Sequence, residues 1–360
     1  MINTVRNVFL NVLYLYIYLV MRFIGSKRLL LKNIDYVIQQ NIKGHKNLKS
    51  FCDIFSGTTV VAQYFKKRYQ IFSNDLLYFS YCLQKSYIEL NKEPKFEKLN
   101  INSDLFGYLN KIETTKKGFI YKNYSPGGKD KRRYLSEANA KKIDSLRMSC
   151  EEWLRKKIIH KDEYFYLISL LIEATPFVSN IAGTYGAYLK NWDKRSLKKI
   201  KFNSIKIIDN KKINKCFNED SNNLIKKIKG DILYLDPPYN SRQYLPNYHL
   251  LETIAKYDNP KIRGKTGIRE YEKQRSNYCN KTYAKDALED LINKSNFKYI
   301  ILSYNNEGLI PEKSIENLFK KYGDKKAYKK YEIPYRRYKR TKDKETKKIN
   351  KFIFFLKKNG

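Results

Sequence analysis

Cysteine and histidine are scarce in this chain, and those present are scattered. Its five cysteines (Cys52, Cys82, Cys150, Cys216, Cys279) form no CxxC or CxxxC pair, and only three histidines accompany them. That argues against a zinc site, and no metal is expected. An odd, unpaired cysteine count suits a reducing compartment, so a cytoplasmic protein is expected. The apolar run Val8–Val20 is interrupted by Asn11 and falls short of the roughly 20 residues a membrane-spanning helix needs. No small-residue cleavage site follows it, which disfavours a signal peptide. Residues 1–20 are therefore expected to be an extension upstream of a translation start at Met21, outside the folded domain and not a membrane anchor. N-terminal sequencing of the native protein tests this. No internal repeat is evident.

Acidic residues are also in short supply. The 36 Asp and Glu stand against 73 Lys and Arg, a formal charge of +37. So large an excess of one sign destabilises a compact state unless a polyanion normally lies against it. Nucleic acid is the leading partner, because Lys and Arg neutralise its phosphates. AT-rich codons account for about half of the lysines, but not for the arginine-bearing basic runs. A hydrophobic content of 42%, with 32 tyrosines, is too apolar for a disordered chain. At 360 residues there is room for one large core and an inserted second unit.

Three short apolar runs read as buried parallel strands: Ser50–Phe55, Asp231–Leu235 and Lys298–Ser303. Tyr69–Ser73 is a weaker fourth, and Lys351–Leu356 a final strand. The first run leads through Ser56-Gly57-Thr58-Thr59 into Val60–Arg68, a helix ending in basic residues. Strand, glycine turn, helix and strand open a doubly wound α/β sheet. Between Pro94 and Ile228 the character changes. Turn signals (Ser125-Pro126-Gly127-Gly128) and helical periodicity around Glu151–Ala174 appear, without buried strand runs. The fold expected is a doubly wound Rossmann-like α/β sheet (residues 21–93 and 229–360) with an inserted, mainly helical unit (residues 94–228).

Asp236-Pro237-Pro238-Tyr239 directly follows the apolar strand Ile232–Leu235, where ligands bind in open α/β sheets. Two prolines fix successive φ angles and remove two N–H donors. The loop is then stiff and presents acceptors. The Asp236 carboxylate and the Pro237 carbonyl suit an adenine amine, whose lone pair they draw out of conjugation. Tyr239 offers a flat face for a base removed from a duplex stack. Read alone, the tetrapeptide is as well explained as a strand-ending turn; its position beyond the strand favours chemistry.

Phe51-Cys52-Asp53-Ile54-Phe55-Ser56-Gly57 ends the first strand in an acid and then a glycine turn, which lets backbone amides approach a ligand. Asp75 lies at the end of the next strand, twenty-two positions after Asp53. That matches the acid that binds ribose hydroxyls in nucleotide-binding βαβ units. No Walker pattern is present, which points to an adenosyl cofactor without phosphates. S-adenosylmethionine fits that description.

Taken in order, these segments resemble the Dam-type DNA adenine methyltransferases of the alpha group. Phe23-Ile24-Gly25-Ser26-Lys27 is similar to their opening motif, Asp53–Gly57 to their cofactor motif, and Asp236–Tyr239 to their catalytic motif. Ile300–Asn306 resembles a later strand motif near the substrate pocket. The resemblance implies S-adenosylmethionine as cofactor and no metal. It implies cofactor contacts from Phe23, Lys27, Asp53, Phe55 and Gly57, ribose binding by Asp75, and Asp236 between cofactor and target amine. Two positions depart from the pattern: Thr59 and Ser26 replace glycines, and a Cβ at either would crowd a cofactor.

The resemblance also places target recognition in the 94–228 insertion, with double-stranded DNA as partner and a companion restriction endonuclease expected. Candidate DNA contacts are Arg132, Arg133, Lys194, Arg195, Arg242, Arg336 and Arg337, since Arg reads guanine bidentately and Lys grips phosphate. A basic run is more often a plain solvated face than a DNA contact. Asn240–Tyr244 is expected to close over the flipped base or fill its gap. His249 is read as a packed helix residue and not as a base. A monomer or weak dimer is expected. RNA adenine methylation and a catalytically inactive DNA-binding relative are the alternatives.

Overall fold

The structure is a computed structural model that describes residues 25–99, 101, 104–335 and 349–358. Its centre is a seven-stranded sheet in the order β3-β2-β1-β4-β7-β9-β8. The strands are β1 (Ser50–Asp53), β2 (Gln70–Asn74), β3 (Lys215–Phe217), β4 (Lys229–Leu235), β7 (Asn296–Asn305), β8 (Lys329–Tyr335) and β9 (Ile349–Lys357). Strands β3, β2, β1, β4 and β7 run parallel, and β9 lies antiparallel between β7 and β8. The central strands are buried on both faces, which is why their sequences are nearly continuous apolar runs. Asp231 sets the register at their amino ends. It accepts the N–H of Lys49 at 2.7 Å and of Ser50 at 3.0 Å, and Lys298 Nζ at 2.7 Å, joining β1, β4 and β7.

The order reverses between β1 and β4. Chain built outward from β1 goes to β2 and β3, and chain built outward from β4 goes to β7. The crevice beyond their carboxyl ends is where an open α/β sheet binds ligand. On one face, Phe51, Ile71, Ile232, Ile301 and Ile353 pack with α1 (Leu31–Asn41) and α2 (Val60–Lys66). On the other, Cys52, Leu233, Ile300 and Phe354 pack with α10 (Ala284–Lys294) and α11 (Glu312–Tyr322). A further core joins α3 (Tyr78–Gln84), α6 (Glu137–Arg155), α7 (Lys161–Ala174) and α9 (Leu245–Lys256). Among the described residues no helix is long and apolar enough to cross a membrane.

The strands expected from sequence are present: β1 ends two residues earlier than expected, β2 is shifted by one, and β4, β7 and β9 are extended by one or two residues at their ends. The periodicity around Glu151–Ala174 resolves into α6 and α7, broken at Lys157, whose φ is +57°. Glu163 restarts the second helix by accepting the His160 N–H at 2.9 Å. One expectation is corrected. The carboxyl-terminal bound of the expected 94–228 unit moves, because Lys215–Phe217 form β3, which pairs with Phe72–Asn74 of β2 in the central sheet. Its three residues are only partly buried, so no apolar run announces it. Residues 1–24, including Phe23, and Arg336 and Arg337 lie outside the described residues.

Candidate active site

A cleft of about 990 Å³, its open mouth included, lies at the switch point and is lined from several separate stretches of chain. β1 contributes Asp53, and the turn after it contributes Phe55, Ser56 and Gly57. β2 delivers Asp75, Leu76 and Leu77, and β4 delivers Asp236 and Pro238. Gly25, Ser26 and Lys27 close the amino-terminal side. The left-handed φ of +85° at Gly25 carries this segment past the Tyr244 and Tyr239 hydroxyls, which would lie 3.4 and 3.7 Å from any Cβ there.

Lys27 is 5% exposed and forms an ion pair with Asp236 while also donating to the Gly25 carbonyl at 2.9 Å. Burial works against the Lys27 charge, but Asp236 outweighs it and keeps the amine protonated. Burial pushes Asp236 up, and Lys27 and Lys351 pull it back. One Asp236 oxygen, Oδ1, remains buried with no hydrogen-bond partner. The same is true of Asp53 Oδ1, whose other oxygen accepts the Ser56 hydroxyl at 3.2 Å. Burial and the nearby Asp236 push Asp53 up to about 7.

Asp75 holds the glycine turn. Its carboxylate accepts the Gly57 N–H at 2.8 Å and the Leu77 N–H at 2.9 Å, leaving further lone pairs for a ligand. Burial pushes it up to about 6. Thr59 adopts φ +63°, a conformation costly for a β-branched residue. Its side chain is fully buried, its Oγ1 accepts the Gln63 amide at 2.8 Å, and it does not line the cleft. The Cβ that replaces glycine there strains the backbone and leaves the cavity clear. Ser26 does line it.

Beside the cleft, Tyr239 packs edge-on against Tyr304 at 6.1 Å, and its carbonyl accepts the Leu309 N–H at 3.0 Å. Lys27 Nζ lies 5.7 Å from the Tyr239 ring centre. Asn305, at the end of β7, keeps Oδ1 buried and without a partner. Three carboxylate residues, Asp53, Asp75 and Asp236, therefore line one cavity, and two of them carry an oxygen with no hydrogen-bond partner. That donor set fits a cation carrying hydroxyls, as S-adenosylmethionine does.

A model of the D12 class N6 adenine-specific DNA methyltransferases matches residues 23–318. The chain belongs to that family. It is 48% identical over 343 residues to the Type II methyltransferase M.FokI of Planomicrobium okeanokoites, covering 94% of this chain and 53% of that protein. It is 44% identical to the modification methylase StsI of Streptococcus sanguinis, covering 94% and 52%. It is 40% identical to the Type II methyltransferase M.NlaIII of Neisseria lactamica, covering 89% and 93%. The chain thus spans about half the length of M.FokI and StsI, and nearly all of M.NlaIII.

The D12 match covers Lys27, Asp53, Phe55, Gly57, Asp75 and Asp236–Tyr239, and the fold brings all of these but Pro237 and Tyr239 to the cleft wall. Pro237 is buried and Tyr239 lies alongside. The basic candidates divide. Arg242, Arg133 and Lys194 are exposed, although Arg133 also donates to the Lys190 carbonyl at 2.6 Å. Arg195 is half-buried against the Ser179 carbonyl at 3.3 Å. Arg132 is corrected: at 5% exposure its guanidinium binds the carbonyls of Lys265, Gly264 and Asn123 and the Asp130 carboxylate, so it holds loops together and does not reach for DNA. His249 is fully buried, and its Nε2 meets the Tyr185 carbonyl at 2.8 Å.

Sequence reasoning missed part of the lining. Glu219, Asp220 and Ser221 reach the cleft from the end of β3, and Gln243, Gln274 and Ser276 from the segments flanking α9. An acid two or three residues beyond a strand was the available signal for Asp220, hidden because β3 itself was not legible.

Proposed function

We propose that the protein transfers the methyl group of S-adenosylmethionine to the N6 amine of adenine in double-stranded DNA, with the base turned out of the helix beside Asp236–Tyr239. The reading rests on one observation above others: the partnerless Oδ1 of Asp236 at the cleft wall of a D12-family fold. Bound in the cleft, S-adenosylmethionine supplies a methyl group on an electrophilic sulfonium. Asp53 and Asp75 hold the cofactor's cationic and ribose portions, and Phe55 and Leu76 flank it. Asp236 and the Pro237 carbonyl accept the two N6 hydrogens, which localises the nitrogen lone pair toward the donor. Lys27 keeps Asp236 ionised and fixed. Tyr239 stacks on the base, a contact worth about 1–3 kcal/mol. Positioning and acceptor bonds carry the rate, and no strong base is needed.

Target recognition is assigned to the helical segment within residues 94–228, excluding β3, with Arg133, Lys194, Arg195 and Arg242 as DNA contacts. Relatives named as type II methyltransferases and modification methylases support a role as the modification methylase of a type II restriction–modification system; a companion endonuclease acting on the same site is part of the proposal.

Tritium transfer from labelled S-adenosylmethionine to duplex DNA, with RNA in parallel, tests the proposal. Label is expected in DNA as N6-methyladenine; label confined to RNA, or none in either, defeats it. Asp236→Ala is expected to abolish transfer while duplex affinity stays within a few-fold of wild type. Turnover above a small fraction of wild type counts against the role given to Asp236.

A further inference from the structure

Residues 261–281 join α9 to α10 and begin with a hairpin of two-residue strands, β5 (Ile262–Arg263) and β6 (Ile268–Arg269). Strands so short do not hold a hairpin by themselves. Here buried groups hold it. Arg132 donates Nε to the Lys265 carbonyl at 3.0 Å and Nη2 to the Gly264 carbonyl at 3.1 Å. The Tyr124 hydroxyl donates to the Gly267 carbonyl at 2.9 Å, and Arg269 grips Asp258 with both Nη atoms at 3.0 and 2.6 Å. Gly264 and Gly267 both take φ +67°, and a Cβ on Gly267 would stand 2.9 Å from Arg132 Nε. The tip is thus rigid, yet Arg263, Gly264 and Lys265 are exposed.

Downstream the chain is anchored twice at the cleft. Gln274 donates to the Leu76 carbonyl at 3.2 Å, and Gln243 clasps the Ser276 backbone at 2.8 and 3.0 Å. Gln243 and Ser276 line the cofactor cleft on one side and a polar hollow on the other. That hollow is also lined by Ser241, Arg275, Asn277 and Lys281, with no carboxylate among its lining residues. Exposed Lys261, Arg263, Lys265, Lys273, Arg275 and Lys281 therefore run from the tip to the residues beside the catalytic loop. Arg263 and Arg275 pair with Glu270 and Glu272, but these are exposed pairs that water and salt weaken and phosphate can replace.

We propose that residues 261–281 grip duplex DNA, the hairpin tip at one end and the hollow beside Gln243 at the other, delivering the target nucleotide across the Gln243–Ser276 clasp. This rests on the function proposed above. A two-stranded ribbon fits the major groove, and a tip already ordered loses little freedom on binding. The segment adds a DNA-facing surface outside the helical insertion.

The test is anisotropy of a fluorescein-labelled random-sequence DNA duplex over a range of KCl. Lys265→Glu and Arg275→Glu are each expected to raise Kd about tenfold and to reduce the slope of log Kd against log salt by about one or more, compounding in the double variant. Binding of S-adenosylhomocysteine by calorimetry and kcat at saturating DNA stay near wild type. Lys211→Glu makes the same charge change near the amino end of β2, where Asn210 meets the Tyr69 carbonyl, and is expected to shift Kd by less than about twofold. If both hairpin and hollow variants bind like wild type or like Lys211→Glu, the inference falls while the proposed function stands. A wild-type protein that neither binds nor methylates duplex DNA sinks both.

Discussion

At the residue scale the site is governed by buried carboxyl groups held close together. Asp53 is 1% exposed and shares the cleft with Asp236, so ionising both is unfavourable without a cation between them. With Asp53 pushed up to about 7 by burial and Asp236, the ligand-free protein holds a proton there that the unfolded chain releases near pH 4. Across that window the folded state binds more protons than the unfolded one, so stability falls as pH rises. Asp53→Asn removes this dependence. It is expected to stabilise the ligand-free protein by at least about 1 kcal/mol near pH 8 and to leave it unchanged near pH 4, as read by urea unfolding. Equal effects at both pH values would show that the carboxyl does not titrate upward. The types of the site residues were legible in the sequence because a stiff Asp-Pro-Pro-Tyr turn and an acid after each strand are local patterns. The consequence of Thr59 was not, since only the packed turn shows its side chain directed to Gln63 and away from the cleft.

At the element scale, α9 does more than follow the Asp236–Tyr239 loop. Its Glu252, fully buried, accepts the N–H groups of Tyr78 at 3.0 Å and Phe79 at 2.9 Å, capping α3 just beyond Asp75. It also accepts the Gln274 amide at 2.7 Å. Glu252→Ala removes the acceptor that the Tyr78 and Phe79 N–H groups share and is expected to cost about 2–4 kcal/mol. Because the turn it holds carries Leu76 and Leu77 into the cleft, S-adenosylhomocysteine affinity falls with it. Calorimetric affinity equal to wild type in the folded variant would refute that link. Strands β1, β4, β7 and β9 were legible because burial on both faces demands unbroken apolar runs. The cap was not, since Glu252 and Tyr78 lie far apart in sequence, and β3 was too short and too exposed to leave a pattern.

At the scale of the whole molecule, the helical insertion has no interior of its own, because its core is shared with α3 and α9, which follow β2 and β4 of the sheet. One core runs through Phe79 and Leu83 of α3, Ile143 and Leu146 of α6, Leu167 and Leu171 of α7, and Leu250 and Ile254 of α9. The fully buried Arg147 adds a bond from α6 to the Ile254 carbonyl at 2.8 Å. Scanning calorimetry is therefore expected to show a single unfolding transition, as a shared core demands. Two resolved transitions would mean that the insertion folds on its own. What the sequence determined by itself was the chemistry and its order along the chain: apolar strand, acid, glycine turn, proline-locked loop, and a charge that calls for a polyanion. These are local patterns, written within a few residues. What only the tertiary structure decided was which charges remain available. Folding places Arg132 against three carbonyls, gives Lys27 to Asp236 and leaves Lys265 on a rigid tip, because desolvation and hydrogen-bond geometry act between residues that are distant in the chain.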